Sequence, residues 1–306
     1  MTRILITGAG GNVGRALLAG LDGHRVLATD LHPVDGAEFE RMDVTGADPA
    51  RVIGAFRPDV VVHLASIVTP PRGSTRDFEW RVDVQGSRNV LEACLVHGVR
   101  RLVVTSSGAA YGYHADNPVP LVESDPVRGN VEFPYADHKR QVEELLARAR
   151  VDHPGLEQVV LRVGTVLGEG VDNQITALFR KPRLLAVAGS DSPFVFIWTK
   201  DLARILGRAA TVGPAGVFNV AGDGAMTMRD LARAMGKPVL TLPAWVLRAA
   251  LAVARPLGLS RYGPEQVGFL QYRPVLDNRA LKEVFGYTPE LTSAQVFDLW
   301  RAWARP

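Results

Sequence analysis

Residues 7–14 read Thr7-Gly8-Ala9-Gly10-Gly11-Asn12-Val13-Gly14, directly after the apolar run Ile4-Leu5-Ile6. An unbroken apolar run ending in glycines predicts a buried strand entering a tight turn. A helical pattern follows from Asn12 to Leu18. Glycine lets such a turn close sharply and lets a pyrophosphate approach the backbone. The helix start then offers unpaired N–H groups and a positive dipole end to the phosphates, with Asn12 and Val13 at the point of contact. The spacing is G-x-x-G-x-x-G on Gly8, Gly11 and Gly14; the commoner G-x-G-x-x-G fails because position 13 is Val. A plain βα turn would also favour glycines. The next strand pattern, Arg25–Asp30, shifts the balance. It ends in an acid 22 positions after Gly8, near the spacing of about 20 for a carboxylate that accepts from the adenosine ribose hydroxyls. Asp30 would repel a 2′-phosphate, which favours NAD over NADP; the alternative is a solvated loop aspartate. A dinucleotide cofactor predicts oxidoreductase-type chemistry.

Strand patterns continue at Phe39–Met42, Val60–Leu64, Leu102–Ser106 and Gln158–Val163, with long helical patterns at Arg76–His97 and Tyr135–Arg150. This alternation predicts an α/β fold, a Rossmann-type doubly wound parallel sheet. Beyond about residue 165 prolines and glycines break the regularity. The expected organisation is a cofactor-binding domain over 1–165, joined by a later strand near 215–222, and a smaller, mostly helical substrate lobe over 166–306.

The 306 residues carry a net charge of +3, with Lys and Arg scattered rather than striped, so nucleic acid is not an expected partner. The single cysteine, Cys94, excludes a disulfide within the chain and reads as a small core residue. No secretory signal is expected, since the first strand pattern begins almost at Met1, and no apolar run is long enough to span a membrane. A cytoplasmic protein with a small-molecule substrate and no membrane partner is the expectation. The greasiest stretch, Ala244 to Ala254, interrupted by Arg248, is expected to be a partly buried helix of the lobe, with a membrane-surface or lipid-entry helix as the lesser alternative.

Tyr135 and Lys139, four apart in Pro134-Tyr135-Ala136-Asp137-His138-Lys139, share one helix face. An ammonium beside a phenol favours the phenolate, so Lys139 should lower the Tyr135 pKa towards working pH. Such a tyrosine can take a proton from a carbinol as hydride leaves to a nicotinamide. Upstream, Thr105-Ser106-Ser107-Gly108-Ala109-Ala110-Tyr111-Gly112 stands at the end of the predicted fifth strand. Ligands of open α/β sheets bind at such strand ends. No metal-ligand cluster stands out.

In this order, the glycine turn, Asp30, the strand-end serines and the Tyr135/Lys139 pair resemble the extended short-chain dehydrogenase/reductase family, in its NAD-dependent epimerase/dehydratase branch. Further landmarks are Asp43-Val44, His63-Leu64-Ala65, the run Asp83 to Leu91, Leu161-Arg162, Lys200-Asp201-Leu202-Ala203 and Phe218-Asn219-Val220. The resemblance implies that Gly8, Gly11 and Gly14 wrap the pyrophosphate and Asp30 holds the ribose. It implies that Asp43 and Val44 flank the adenine, and that Leu64, Ala65 and Ser66 line the cofactor cleft. Ser107 matches the catalytic Ser/Thr, Tyr135 the acid/base, and Lys139 its activator and a holder of the nicotinamide ribose. His63 reads better as a structural histidine, and Asp43 and Asp201 could simply cap helices. The resemblance also implies a homodimer formed by the two long helices.

The chain departs from the family's nucleotide-sugar members. Thr165 stands where they have Asn, and Phe194-Val195-Phe196-Ile197-Trp198 replaces a stretch that carries an Arg-Asp pair. Gly108-Ala109 replaces the Asp-Glu of the dehydratases, and Asp83 replaces an Asn. A less charged substrate is the expectation, with Phe179, Phe194, Phe196, Trp198 and Trp245 either lining its pocket or forming the lobe's core. Two alternatives remain: a UDP-hexose 4-epimerase with tightly bound NAD, and a non-catalytic NAD sensor.

Overall fold

The computed structural model describes residues 1–71, 73–260 and 263–304. The apolar run at 4–6 lies within β1 (Arg3–Thr7), followed by α1 (Asn12–Leu18), β2 (Arg25–Asp30), β3 (Glu38–Arg41), α2 (Asp48–Phe56) and β4 (Val60–His63). Next come α3 (Arg76–Trp80), a π-helical turn over Arg81–Gln85, and α4 (Gly86–Val96). The sheet continues through β5 (Arg101–Ser107), α5 (Pro134–Asp152) and β6 (Glu157–Val163). After β7 (Thr165–Leu167), α6 (Gln174–Phe179), β8 (Leu184–Val187) and β9 (Phe196–Trp198), the chain returns through α7 (Thr199–Thr211) to β10 (Gly216–Val220). It ends with α8 (Met228–Met235), β11 (Val239–Leu242), α9 (Ala244–Ala254), α10 (Gln266–Gln271), α11 (Arg279–Glu283) and α12 (Ser293–Trp303).

Seven of these strands form one parallel sheet in the order β10-β6-β5-β4-β1-β2-β3. Both faces are covered, so alternate residues of one strand enter different cores. Ile4 and Ile6 pack with Leu17, Leu206 and Phe285. Leu5 packs on the opposite side with Val52, Val90 and Leu146. The strand order reverses between β1 and β4, and in open α/β sheets such a reversal opens a crevice at the carboxyl ends of the strands. The glycine turn after β1 and the segment after β4 flank that crevice.

Two long helical patterns differ in quality. Pro134–Asp152 is regular α-helix. Arg76 to Val96 is interrupted by the π turn, which carries Asp83 into the interior. Extra-residue turns of this kind recur at functional sites.

The remaining elements build a lobe over the crevice. Phe179 stands at its centre, edge-on to Phe194, Phe196, Phe297 and Trp300. The lobe aromatics are therefore mainly core. Phe179, Phe196 and Trp198 are buried there, Phe194 is buried and also borders the cleft, and Trp245 is exposed. α9 is partly buried, as expected: Leu247 is buried, Ala244 and Leu251 pack with it, and the opposite face is exposed.

Candidate active site

The fold itself demands two of the three motif glycines. Gly8 has φ +68°, and a Cβ on it would lie 2.7 Å from the Ala65 nitrogen. A Cβ on Gly14 would lie 2.6 Å from the Ala9 carbonyl oxygen. Gly11 differs: its Cβ would meet only the Gly8 oxygen, at 3.4 Å. Gly11 and Asn12 are exposed, and no side chain caps α1. Val13 faces the cleft. The turn is thus closed from beneath and open above, which fits a pyrophosphate lying across Gly11.

Asp30 braces this turn. Its Oδ2 accepts from the Gly10 N–H at 2.9 Å and its Oδ1 from the Leu31 N–H at 2.7 Å. Each oxygen keeps a second lone pair for a ribose hydroxyl. Asp43 uses Oδ1 to accept from the Thr45 N–H and hydroxyl. Val44 is buried, and its carbonyl accepts from the Asn89 amide.

His63 is structural. Ser87 donates its hydroxyl to the Asp83 carbonyl, so it accepts from His63 Nε2 at 3.0 Å, leaving Nδ1 to accept from Thr7 at 2.7 Å. The Thr7 oxygen in turn accepts from the Leu64 and Ala65 N–H groups. Burial pulls the His63 pKa down to about 3, so the ring is neutral at ordinary pH. This network pins the strand ends that border the crevice, and Leu64 and Ser66 line it.

The cleft has a volume of about 1230 Å³ and runs from Val13 and Leu64 past Ser107, Tyr135 and Lys139 into the lobe. Thr165 also borders it. Ser107, at the end of β5, accepts from the Ala109 N–H at 3.1 Å and shares a hydrogen bond with Tyr135. Lys139 donates to the Thr105 carbonyl at 2.9 Å, and its ammonium lies 5.7 Å from the Tyr135 ring centre. Burial pushes the Tyr135 pKa up to about 12; the Ser107 hydrogen bond opposes this and the Asp83 charge adds to it. That direction is opposite to the one expected from Lys139 alone. The reason is the burial of the Tyr135 phenol itself, which disfavours its charged form; burial lowers the Lys139 pKa as well.

Three features escaped sequence reasoning. Asp83, fully buried, accepts from the Ser66 hydroxyl at 2.8 Å and the Ile67 N–H at 2.9 Å, and lies 3.1 Å from His138 Nδ1. These contacts hold the carboxyl below its ordinary pKa against the opposing effect of burial. Beneath the site, Glu143 accepts from Ser106 and from Arg162, whose guanidinium also donates to the Tyr111 hydroxyl and the Glu123 carbonyl. At the lobe end, Arg273 is buried with its guanidinium carbon 3.9 Å from the Phe194 ring centre, and its Nη1 has no hydrogen-bond partner. Burial pulls its pKa down to about 9, which leaves it cationic at neutral pH. Asp201 binds the Tyr287 hydroxyl and the Glu290 N–H, away from the cleft. Among the described residues no group of His, Cys, Asp or Glu could hold a metal ion.

Known proteins resemble this chain along most of its length. The chain is 30% identical to a UDP-glucose 4-epimerase of Mycolicibacterium smegmatis, over 96% of the chain and 95% of that protein. It superposes on the Bordetella bronchiseptica enzyme WbmG, solved with NAD and UDP, with a TM-score of 0.75 at 23% identity, covering 99% of this chain and 93% of that one. A UDP-glucose 4-epimerase of Thermus thermophilus, solved with NAD, gives a TM-score of 0.75 at 24% identity, covering 98% of each chain. The model of the NAD dependent epimerase/dehydratase family matches residues 4–221. The chain belongs to the NAD dependent epimerase/dehydratase family, an NAD-dependent group of enzymes.

Proposed function

We propose that the protein catalyses hydride transfer between NAD and a secondary alcohol or ketone carbon, with Ser107, Tyr135 and Lys139 as the catalytic set. The observation that carries this reading is the continuous cleft that runs from Val13, just past the open glycine turn, to these three side chains. NAD, when bound, supplies the hydride acceptor. Tyr135 takes the proton of the substrate hydroxyl as the carbinol carbon gives up its hydride, which leaves a ketone. Ser107 orients the substrate oxygen and passes a hydrogen bond to Tyr135. Lys139 is held by the Thr105 carbonyl on the same helix face, where its charge stabilises a phenolate. The dry surroundings of Tyr135 keep it a phenol in the ligand-free site, so it serves as acid without further change and as base once positive charge enters the cleft. Tyr135→Phe should lose nearly all turnover while NAD still raises the thermal midpoint; turnover that survives this change would refute the assignment.

A second reading is favoured by Arg273. A buried cation with one unbonded N–H₂ group at the lobe end suits an anionic substrate, which supports a nucleotide-sugar epimerase despite the missing Arg-Asp pair. UDP-glucose added over saturating NAD would then raise the midpoint further in the wild type and not in Arg273→Met. A homodimer through α3–α4 and α5, and residence in the cytoplasm, belong to the proposal as well.

A further inference from the structure

Four of the large exposed apolar side chains crowd into α9 and the turn that follows it. Trp245 is 71% exposed, Val253 61%, Leu257 66% and Leu259 78%. Trp245, Ala249, Ala252 and Val253 fall at helical spacing on one face, and all four are exposed. The opposite face is in use: Leu247, Ala250 and Leu251 border the cleft. Past the helix end, the Leu259 N–H returns to the Ala254 carbonyl at 2.9 Å, which folds the Leu257-Gly258-Leu259 turn back on the helix. An apolar surface of this extent on a folded chain marks a contact site.

Charge decides what the contact is. From Pro243 to Ser260 the only charged side chains are Arg248 and Arg255, both exposed. Arg248 donates to the Gln271 side chain at 3.1 Å, and Arg255 lies 3.4 Å from the Glu265 carboxylate. Glu265 balances Arg255, so the face is apolar with one unbalanced positive charge, Arg248, on its flank. A second copy of the chain would bring a second Arg248 to this face and no unpaired acid on it to meet the charge. An anionic lipid surface meets both features: the apolar side chains enter the headgroup boundary, tryptophan is favoured at that depth, and Arg248 reaches the phosphates.

We propose that α9 and the following turn dock the protein on the surface of an anionic membrane. The docking is peripheral, since no helix among the described residues is long and apolar enough to cross a membrane. It favours the membrane-surface reading of Ala244 to Ala254 over the expectation of no membrane partner. Because the same helix borders the cleft, docking would bring the lobe end of the cleft close to the lipid.

The test is co-sedimentation of the full chain with vesicles of phosphatidylcholine alone and of phosphatidylcholine mixed with phosphatidylglycerol. Binding to the mixed vesicles should exceed binding to the neutral ones and weaken with added salt. Trp245→Ser and Leu257→Ser should each weaken it about tenfold, the scale set by burying one large apolar side chain. Val212→Ser, which removes an exposed apolar residue elsewhere, should change nothing. The NAD-induced rise in thermal midpoint should be equal in all variants, which shows that they are folded. No sedimentation with the anionic vesicles overturns the proposal. So does binding that ignores Trp245, or a concentration-dependent dimer that Trp245→Ser abolishes.

Discussion

Gly11→Ala separates cofactor binding from folding more cleanly than any other change in the turn. Gly11 has φ −70° and ψ 165°, a conformation open to any residue. Its added Cβ would touch only the Gly8 oxygen at 3.4 Å, an ordinary contact. Stability should therefore stay within about 0.5 kcal/mol of the wild type. The methyl group would, however, stand on the open side of the turn, where the pyrophosphate is proposed to lie. Overpacking of about 1–3 kcal/mol there weakens NAD binding about ten- to a hundredfold. Gly14→Ala is the control. Its Cβ would meet the Ala9 oxygen at 2.6 Å and the Ala9 Cα at 2.7 Å, backbone atoms that cannot step aside. That variant should lose about 1–3 kcal/mol or more and melt several degrees lower. Denaturant unfolding and calorimetric titration with NAD measure the two quantities separately. A Gly11→Ala protein that is stable and binds NAD with wild-type affinity would refute the placement of the pyrophosphate over Gly11.

Two further perturbations probe the framework beneath the site. Glu143→Ala leaves Arg162 buried without its counter-ion, a pair now 2.7 Å apart with both side chains under a tenth exposed; the loss should be about 3–5 kcal/mol in denaturant unfolding, and a loss below about 1 kcal/mol contradicts the network's role. His63 has its folded pKa depressed to about 3 from 6.5. Its contribution is thus fully present above the unfolded value and is lost as pH falls from 6.5 towards 3, by about 1.4 kcal/mol per pH unit. His63→Asn should flatten the pH dependence of unfolding between those limits, and an unchanged slope would mean that the ring is not buried neutral.

Elements with local causes were legible in the chain. β1 and β2 follow from apolar runs ended by a glycine and an acid: β1 contains the run at 4–6, and the bounds of β2 coincide with the pattern read for it. The third strand lies one residue earlier than its pattern, at Glu38–Arg41, because pairing with β2 rather than composition sets its ends. What escaped depends on distant partners. Asp83 and His138 stand 55 positions apart, and nothing local to either marks the pair. Arg273 becomes a site residue only because its arrival at Ser192 places it on Phe194. The Tyr135 shift could not be read from the four-residue spacing, since spacing shows which charges are neighbours but not how dry their surroundings are. The partial burial of α9 was legible, but which of its faces stays open was not: composition records that a surface is apolar, whereas burial depends on whether another element covers it.

The most direct test of the account is a crystal structure of the chain with NAD. The account predicts the adenosine ribose on Asp30, the pyrophosphate over Gly11, and the nicotinamide end beside Ser107, Tyr135 and Lys139. A nicotinamide ring bound away from these three side chains would contradict the proposed chemistry, however well the fold matches.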